Sequence, residues 1–363
     1  MSEYNPLKKP LLSVGFVTPY PPEQCGVAEY SKQLVKNLQN SVKIKILPWK
    51  SGNTSEKLIR PIREIGTLAK AFDENDIVHI QYEIGIYYPL FLLTILLTKK
   101  LTRCHTKIVV TAHESYARFG VVGKITLFME GVLLLFADAI IVHSTKHQNA
   151  LPFFVRHRTT VIPIGVENVT INITFKKENG RPTILIPGFI NRWKGYDIAV
   201  EAMPLVLERF PNALLMLVGR GDDLKFLAYL DSLIKKGGLQ KNVAICNKYI
   251  SNDDLDNLLR SCKLVALPYR RITNSALLAK AIAFEKPTVI SDLPELLGYY
   301  KTRDSSFATG NYKSLASIII KLLEDHNLYG RIQDHTKTLK ALYLWRNVAN
   351  TTVDLYWSLL ETN

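Results

Sequence analysis

The sequence has few of the residues that would support a disulfide-bonded or zinc-dependent fold. Its 363 residues include only four cysteines, which lie far apart and show none of the paired spacings of metal ligands. Three of the four fall within or beside apolar runs, where buried thiols are common. We therefore expect no disulfide framework and no metal site. The cysteines are Cys25, Cys104, Cys246 and Cys262.

The sequence also lacks a recognisable targeting segment and a basic tail. The first ten residues, MSEYNPLKKP, contain no apolar core of the kind that a signal peptide requires, so we expect a cytoplasmic protein. The formal net charge is +14, and it is spread over both halves of the chain. Two interpretations stay open: a solvated basic surface, or attraction to phosphate-bearing ligands or anionic lipid. We expect no nucleic-acid partner.

No apolar run reaches the length of a bilayer-spanning helix. The segment 84–101 is apolar for about 14 residues, whereas a membrane-spanning helix needs roughly 20. Two interpretations remain: a helix buried in the first domain, or one whose outer face enters a membrane interface with Lys99, Lys100 and Arg103 at the headgroups. Segment 121–142 poses the same choice less strongly and is predicted to be a buried helix followed by a strand.

Short β-branched runs alternate with segments of helical periodicity along the chain. This alternation is typical of parallel sheets covered by helices, and the length exceeds what one hydrophobic core usually organises. The sequence therefore predicts an α/β protein of two doubly wound domains. Residues 167–182 lose the apolar periodicity and gain Gly180 and Pro182, so we place the linker there. The domains are predicted at 1–170 and 180–341.

One turn combines a buried strand, two fixed positive charges and a helix. The stretch GFINRWKGYDIAVEAM, 188–203, directly follows the apolar run TILI. Asp197 falls in the first turn of the predicted helix, where its charge suits the helix dipole. Arg192 and Lys194 therefore lie at the carboxyl edge of a parallel sheet, which is the edge where such sheets bind ligands. The pattern predicts a site for an anion.

The ordered set of motifs resembles the retaining GT-B glycosyltransferases over nearly the whole chain. In the first half the similar segments are TPYPPEQCGVAEYSKQLVKNL, DIVHIQYE, VVTAHE, ADAIIVHS and VIPIGVE. In the second half they are GFI, the turn with KG, EAMPLVLERFPNALLMLVG, YISNDDLDNLLRSCKLVALPY and NSALLAKAIAFEKPTVISD. The resemblance implies two Rossmann-like domains facing a cleft. It also implies that the final helix, 342–363, crosses back onto the first domain.

The resemblance further implies how substrates are bound. A nucleotide-sugar donor would be held mainly by residues 180–341 and an acceptor mainly by residues 1–170, with no metal and no cofactor. Lys194 matches the family's phosphate-binding lysine. Where the family commonly has an arginine this chain has Phe189, and Arg192 is expected to replace it, the alternative being an exposed arginine.

Further site residues follow from the same resemblance. His113 matches a histidine near the transferred sugar, although an ordinary core histidine is the alternative, as it is for His79. Glu114 is a weaker candidate for hydrogen bonding to an acceptor hydroxyl, with a salt bridge as its alternative. Capping of a helix is the alternative for two of the donor-binding candidates, Asn274 and Ser275. The donor-binding candidates are Gly26, Gly219, Tyr249, Ile250, Asn274 and Ser275.

The chain departs from the family pattern at two carboxylates. Many relatives carry two glutamates, eight positions apart, that touch the donor sugar and ribose. The corresponding positions here are Ile272 and Lys280. Their absence puts sugar recognition and ribose binding in doubt but leaves the phosphate site in place.

These features favour a metal-independent retaining hexosyltransferase of polysaccharide biosynthesis. It would move mannose or glucose from a nucleotide-diphosphate sugar to a saccharide or lipid-linked acceptor, in association with the cytoplasmic face of an anionic membrane. Two alternatives remain open. One is a non-catalytic GT-B protein that binds a glycan or a partner, and the other is a nucleotide-sugar epimerase.

Overall fold

A computed structural model defines two α/β units. It describes residues 11–23, 25–49, 65–83, 105–114, 130–132, 134–170, 181–272 and 274–361, together with Thr94, Thr98, Lys99 and Phe128. The first unit contains Met1–Gly165 and Trp345–Asn363, and the second contains Val166–Leu344. The predicted class, α/β with two doubly wound parallel sheets, is confirmed.

The first unit is built on a six-stranded parallel sheet. Its strands are ordered β2-β1-β3-β4-β5-β6, so the chain adds β2 on one side of β1 and then β3 to β6 on the other side. All described strand pairs in it are parallel. The strands are β1 (Ser13–Thr18), β2 (Lys43–Pro48), β3 (Ile77–Glu83), β4 (Lys107–Glu114), β5 (Ala139–Val142) and β6 (Thr159–Val161).

Helices of the first unit come from the connections between these strands. Those with described bounds are α1 (Gly26–Leu38), α2 (Ile65–Glu74), α3 (Thr145–Ala150) and α4 (Phe153–Arg156). Residues alternate between the two faces of the sheet, as the period of a strand requires. One face packs with Phe72 of α2 and includes Val78 and Ile80, while the other packs with Leu34 of α1 and includes Ile77.

The second unit repeats this architecture. Its six strands are all parallel and are ordered β12-β11-β10-β7-β8-β9. The strands are β7 (Thr183–Pro187), β8 (Leu214–Val218), β9 (Val243–Cys246), β10 (Leu264–Leu267), β11 (Thr288–Ser291) and β12 (Ser306–Phe307). The strand order reverses between β7 and β10, and ligands of such sheets bind outside the carboxyl ends of strands at this kind of switch point.

Seven helices with described bounds belong to the second unit. They are α5 (Tyr196–Arg209), α6 (Leu224–Lys236), α7 (Asn252–Ser261), α8 (Ala276–Ala283), α9 (Pro294–Tyr300), α10 (Tyr312–Glu324) and α11 (His326–Leu342). Side-chain caps begin several of them: Asp223 accepts a hydrogen bond from Phe226 N–H, and Asp325 accepts one from Leu328 N–H. Such caps satisfy backbone donors that the first turn leaves unpaired.

The last helix, α12 (Trp345–Glu361), is part of the first unit. Its buried face contains Trp345, Val348, Ala349 and Tyr356, which pack in the same cluster as Phe16 of β1. The last helix of the chain therefore buries its apolar face against the sheet that contains the first strand, β1.

Several sequence predictions fall on residues outside this description. The segment 84–101 lies almost entirely outside it, as do half of 121–138, the middle of the linker and the side chain of Glu114. The strand expected at the end of 121–142 is β5. None of the helices within the described ranges has the length and apolarity needed to cross a membrane.

Candidate functional site

The candidate site begins where β7 ends. Gly188 follows the strand with φ 105°, residues Arg192–Lys194 form a single 3-10 turn, and Gly195 has φ 69°. A side chain at Gly195 would place its Cβ 1.9 Å from the carbonyl oxygen of Pro268. Glycine is therefore required there, because it both tolerates the left-handed backbone and lets α5 start against the end of β10.

Lys194 is a buried cation. Its side chain extends under the turn, and the residue is only 7% exposed. The ammonium lies 5.2 Å from the ring centroid of Trp193 and 5.8 Å from that of Tyr269, and a Cβ on Gly188 would be 2.5 Å from Nζ. Burial lowers the pKa of Lys194 to about 8, and none of the described carboxylates is paired with it. A buried charge of this kind is costly unless a ligand neutralises it.

Arg270 holds the turn that carries Lys194 through several hydrogen bonds. The guanidinium donates to both carboxylate oxygens of Asp197, at 2.8 and 2.7 Å. It also donates to the carbonyl of Arg192 at 2.8 Å, and the backbone N–H of Arg270 donates to the carbonyl of Trp193 at 2.7 Å. Planar, bidentate pairs of this type fix geometry as well as charge. Arg270 was not among the residues that the sequence predicted.

Arg192 lies apart from the buried lysine. Its side chain is 61% exposed, pairs with Asp223 at 3.3 Å and places its guanidinium 5.0 Å from the ring centroid of Phe226. This matches the alternative of an exposed arginine. Phe189, which stands at the family's arginine position, is exposed as well. Lys194 is therefore the cation that the fold buries at this edge.

The neighbouring strand ends in a second glycine. Gly219 follows β8 with φ 145°, and a Cβ there would be 2.1 Å from the carbonyl oxygen of Gly188. That carbonyl also accepts a hydrogen bond of 2.5 Å from the hydroxyl of Tyr196. The two backbones therefore approach each other closely at the carboxyl edge between β7 and β8, next to the ammonium of Lys194. The edge thus presents backbone groups where a ligand of α/β sheets would bind.

The remaining donor-side candidates lie at two other strand ends. Ser275 caps α8, since its Oγ accepts from Leu278 N–H at 3.1 Å, and Asn274 precedes it. The capping alternative thus describes Ser275, and the first N–H groups of α8 point toward the same edge of the sheet. Tyr249 follows β9 and is 53% exposed, and Ile250 is half-buried.

Lys280 replaces a family carboxylate with a structural cation. Its ammonium lies 2.8 Å from Asp256 and 3.3 Å from Glu167. Burial alone would lower the pKa of Lys280, but the hydrogen bond to Asp256 and the charge of Glu167 raise it above its usual value. The residue therefore stays charged and is held by two acids. Ile272, at the other position, is half-buried in the loop before α8.

The first-unit candidates lie at the carboxyl edge of the other sheet. Gly26 starts α1, and a Cβ there would meet no other atom within 4 Å, so the structure leaves open space beside it. Cys25 caps this helix, its sulfur accepting from Ala28 N–H at 3.4 Å. His113 is buried near the end of β4, with Nε2 3.0 Å from Gln81 Oε1 and Nδ1 3.1 Å from His143 Nε2. Burial holds the pKa of His113 well below its usual value, so the ring is neutral.

Comparisons with known proteins relate the chain to glycosyltransferases. Residues 170–338 match the model of the family described as glycosyl transferases group 1. An uncharacterized glycosyltransferase of Methanocaldococcus jannaschii is 26% identical over 198 residues, which cover 54% of this chain and 50% of that protein. Mannosylfructose-phosphate synthase of Agrobacterium fabrum is 26% identical over 182 residues, covering 47% and 39%. The matched segments thus span half or less of these relatives.

Solved structures resemble the whole chain. HepE from Anabaena, in complex with UDP and glucose, has a TM-score of 0.75 at 15% identity, covering 96% of this chain and 100% of that one. Sucrose-phosphate synthase from Thermosynechococcus elongatus has a TM-score of 0.75 at 16% identity, covering 97% and 100%. At such identities the likeness establishes the fold. The chain therefore has the fold of GT-B glycosyltransferases, and its residues 170–338 are similar to the glycosyl transferases group 1 family.

Proposed function

We propose that the chain is a retaining, metal-independent glycosyltransferase that moves a hexose from a nucleotide-diphosphate sugar. The observation that carries this proposal is the buried ammonium of Lys194, which has no carboxylate partner among the described residues and lies beside Gly188 at the carboxyl edge of the second sheet. A departing diphosphate gains negative charge as the glycosidic bond breaks. A preorganised cation stabilises that charge better than water does, because it needs no reorganisation.

Other groups of the same edge complete the donor site. The N-terminal amides of α8, next to Asn274 and Ser275, suit a second phosphate contact. The exposed ring of Tyr249 and the turn at Ile250 suit the nucleoside, and Gly219 allows close approach to the backbone. Retention follows from front-face attack, in which the leaving phosphate accepts the proton of the acceptor hydroxyl. His113 and Gly26 are assigned to the sugar, and Glu114 to the acceptor.

Mannose or glucose is the hexose we propose. HepE was solved with UDP and glucose, and mannosylfructose-phosphate synthase and the mannosyltransferase WbdA of Escherichia coli are among the sequence relatives. The acceptor is a saccharide or a lipid-linked saccharide, as expected for an enzyme of polysaccharide biosynthesis in the cytoplasm.

The test measures nucleotide binding first and transfer second. Calorimetry with UDP, GDP and ADP should find one that binds, and Lys194→Ala should weaken that binding, whereas Arg209→Ala, which removes an exposed arginine of α5, should not. Mass spectrometry then detects transfer from UDP- and GDP-hexoses to saccharide acceptors. Absence of binding by every nucleotide would refute the donor site.

A second candidate function is a non-catalytic binding protein of the same fold. The observation that favours it is Lys280, which occupies a family carboxylate position and is held by Asp256 and Glu167. A nucleotide that binds without any transfer or hydrolysis of its sugar, over the full donor panel, would select this candidate.

We also propose that the first unit contacts an anionic membrane surface. Three phenylalanines of this unit are largely exposed: Phe128, Phe136 and Phe153. The guanidinium of Arg158 donates to the carbonyls of Leu135 and Ala137, so these basic and apolar segments are adjacent. Residues 139–166 contain two arginines and a lysine but no aspartate or glutamate. Exposed aromatic rings flanked by cations suit the interface of a bilayer that carries anionic lipid.

A further inference from the structure

Polar side chains occupy one face of three neighbouring strands toward their carboxyl ends. On β3 the residues of this face are Ile77, His79 and Gln81, and on β4 they are Val109, Thr111 and His113. His143 directly follows β5. The opposite face of the same strands is apolar and includes Val78, Ile80, Val110 and Ile140. Each strand thus changes from apolar to polar on the face that α1 and α12 cover, while its other face stays apolar.

These side chains form one continuous chain of hydrogen bonds. His143 Nδ1 lies 2.9 Å from the carbonyl oxygen of Ile162, and His143 Nε2 lies 3.1 Å from His113 Nδ1. The amide of Gln81 bridges His113 Nε2, at 3.0 Å, and His79 Nε2, at 3.1 Å. The Thr111 hydroxyl lies 2.7 Å from the same His79 nitrogen and can accept its proton as well. His79 Nδ1 ends the chain at the hydroxyl of Tyr356 on α12, 2.5 Å away. We call these five side chains the histidine chain.

Aromatic rings enclose the histidine chain. The ring centroid of Tyr30 on α1 lies 4.7 Å from that of His113 and 5.2 Å from that of His143. Trp345 packs on Tyr30, and Phe16 packs on His79. All members of the chain are buried, so water does not supply donors or acceptors to most of its atoms. Each bond in it must therefore match a donor with an acceptor.

The Ile162 carbonyl determines the direction of these bonds. A carbonyl oxygen only accepts, so His143 Nδ1 carries a proton. A neutral imidazole has one N–H, so His143 Nε2 must accept from His113 Nδ1–H. His113 Nε2 then has no proton and requires a donor from Gln81.

The amide of Gln81 has two orientations that fill the same space. With Oε1 toward His113, Nε2 of His113 must donate, so either His113 or His143 must carry a second proton. With the NH₂ toward His113, every ring is neutral, the amide oxygen accepts from His79 Nε2–H, and His79 Nδ1 accepts from the Tyr356 hydroxyl. Burial opposes the extra charge and lowers the pKa of His143 to about 4. The neutral arrangement is the one that burial favours near neutral pH.

We propose that Gln81, His79 and Tyr356 are positioning residues for His113, which they hold as a neutral imidazole with its proton on Nδ1 and its ring fixed at the carboxyl end of β4. The bonds connect residue 356 of the last helix to residue 113 through two strands. The role in catalysis rests on the proposed function of His113. The protonation pattern does not, because it follows from contacts within the first unit.

The test reads the protonated nitrogen of each histidine directly. Long-range ¹H–¹⁵N correlation spectra of the full ¹⁵N-labelled chain at neutral pH distinguish protonated from unprotonated ring nitrogens. Variants that each lack one histidine assign the signals. We expect Nδ1–H for His113 and His143, and Nε2–H for His79. The opposite pattern at His113 would overturn the proposal.

Substitution of Gln81 gives a sharper test. In Gln81→Glu both ends of the ionised side chain accept, so Nε2 of His113 should become protonated. Gln39→Glu, at an exposed residue after α1, is the matched control and should leave every histidine unchanged. An unchanged His113 in folded Gln81→Glu would contradict the proposal. If this variant does not fold, the spectrum of the wild type decides the protonation pattern.

Tyr356→Phe tests the far end of the chain. It removes the donor to His79 and should alter the His79 signals without removing a large side chain. With a nucleotide sugar that the wild type turns over, it should lower kcat about tenfold and leave KM nearly unchanged, as outer partners of a functional histidine do. An unchanged kcat would remove the positioning role, whereas failure of nucleotide binding would refute the proposed function instead.

Discussion

Arg270 and Asp197 form a bidentate ion pair at 2.8 and 2.7 Å between the segment after β10 and the first turn of α5. Through the same guanidinium, Arg270 binds the carbonyl of Arg192. The turn that carries Lys194 is therefore held by an arginine more than seventy residues away in sequence. The pair fixes the start of α5 and, with it, the path of the lysine side chain.

Arg270→Lys should weaken the bonds to Asp197 and to the Arg192 carbonyl while preserving the positive charge. A lysine is a single point donor and cannot reproduce the planar fork. Because the pair is partly exposed, we expect a loss of about 1 kcal/mol in the free energy of unfolding, measured in urea. Nucleotide affinity should fall several-fold, because the turn loses its fixed geometry. Arg209→Lys, in the exposed pair with Glu324, is the matched control and should change neither quantity appreciably.

Lys194→Met should stabilise the protein and weaken nucleotide binding. The variant replaces a buried ammonium with an apolar side chain of similar length, which removes an uncompensated charge. We expect the free energy of unfolding without ligand to rise by about 3 kcal/mol at pH 7, given a folded-state pKa of about 8 against about 10.4 in the unfolded chain. A clear loss of stability in Lys194→Met would show that the ammonium has a stabilising partner.

The pH dependence of stability provides a separate test of the same lysine. Its pKa is lowered on folding, so between about pH 8 and pH 10.4 the unfolded chain binds more protons than the folded protein. The contribution of Lys194 to stability therefore rises with pH in this window. The advantage of Lys194→Met over the wild type should shrink as the pH increases from 7 to 10. Nucleotide affinity of the wild type should fall above pH 8, because the anion requires the charged form.

Glycine is required at Gly195 for two reasons that a pair of variants can separate. Gly195 and Gly238 have nearly equal left-handed φ values, 69° and 63°. A Cβ would strike the Pro268 carbonyl at Gly195 but would meet nothing within 4 Å at Gly238. Gly238→Ala should therefore cost about 1 kcal/mol for the backbone alone. Gly195→Ala should cost several kcal/mol more, and equal losses in urea unfolding would show that the turn can move away.

The sequence predicted the strands well because their β-branched runs are local signals. The same holds for the basic turn, where the strand, KG and the helix follow one another within twenty residues. It did not predict Arg270, Gln81 or Tyr356, because their roles depend on partners far away in the chain. Alternation of polar residues in IVHIQYE and VVTAHE was the available signal for the histidine chain, but it does not reveal Tyr356.

Lys280 carries a positive charge where the family resemblance implies a negative one. The family resemblance implies a glutamate at this position, and the structure shows that Lys280 binds Asp256 and Glu167. Restoring the family residue with Lys280→Glu would bring three carboxylates together. We expect the free energy of unfolding to fall by about 2 kcal/mol or more, because the acids lose the cation that compensates them. We expect no gain of activity. The double variant Lys280→Glu with Asp256→Lys should recover part of the stability in urea unfolding.

Membrane binding should depend on the exposed phenylalanines of the first unit. Phe153 is 80% exposed and Phe136 is 54% exposed, so replacing both with serine should not damage the core. In sedimentation with vesicles that contain anionic lipid at low salt, we expect the wild type to bind and the double variant to lose at least tenfold in affinity, since two large apolar side chains no longer enter the interface. Leu224→Ser, at a 77% exposed leucine of the second unit, is the matched control and should bind as the wild type does.

Neutral vesicles should bind the wild type weakly because they lack the charge that attracts its arginines. A wild type that stays in the supernatant with both kinds of vesicle would refute peripheral association.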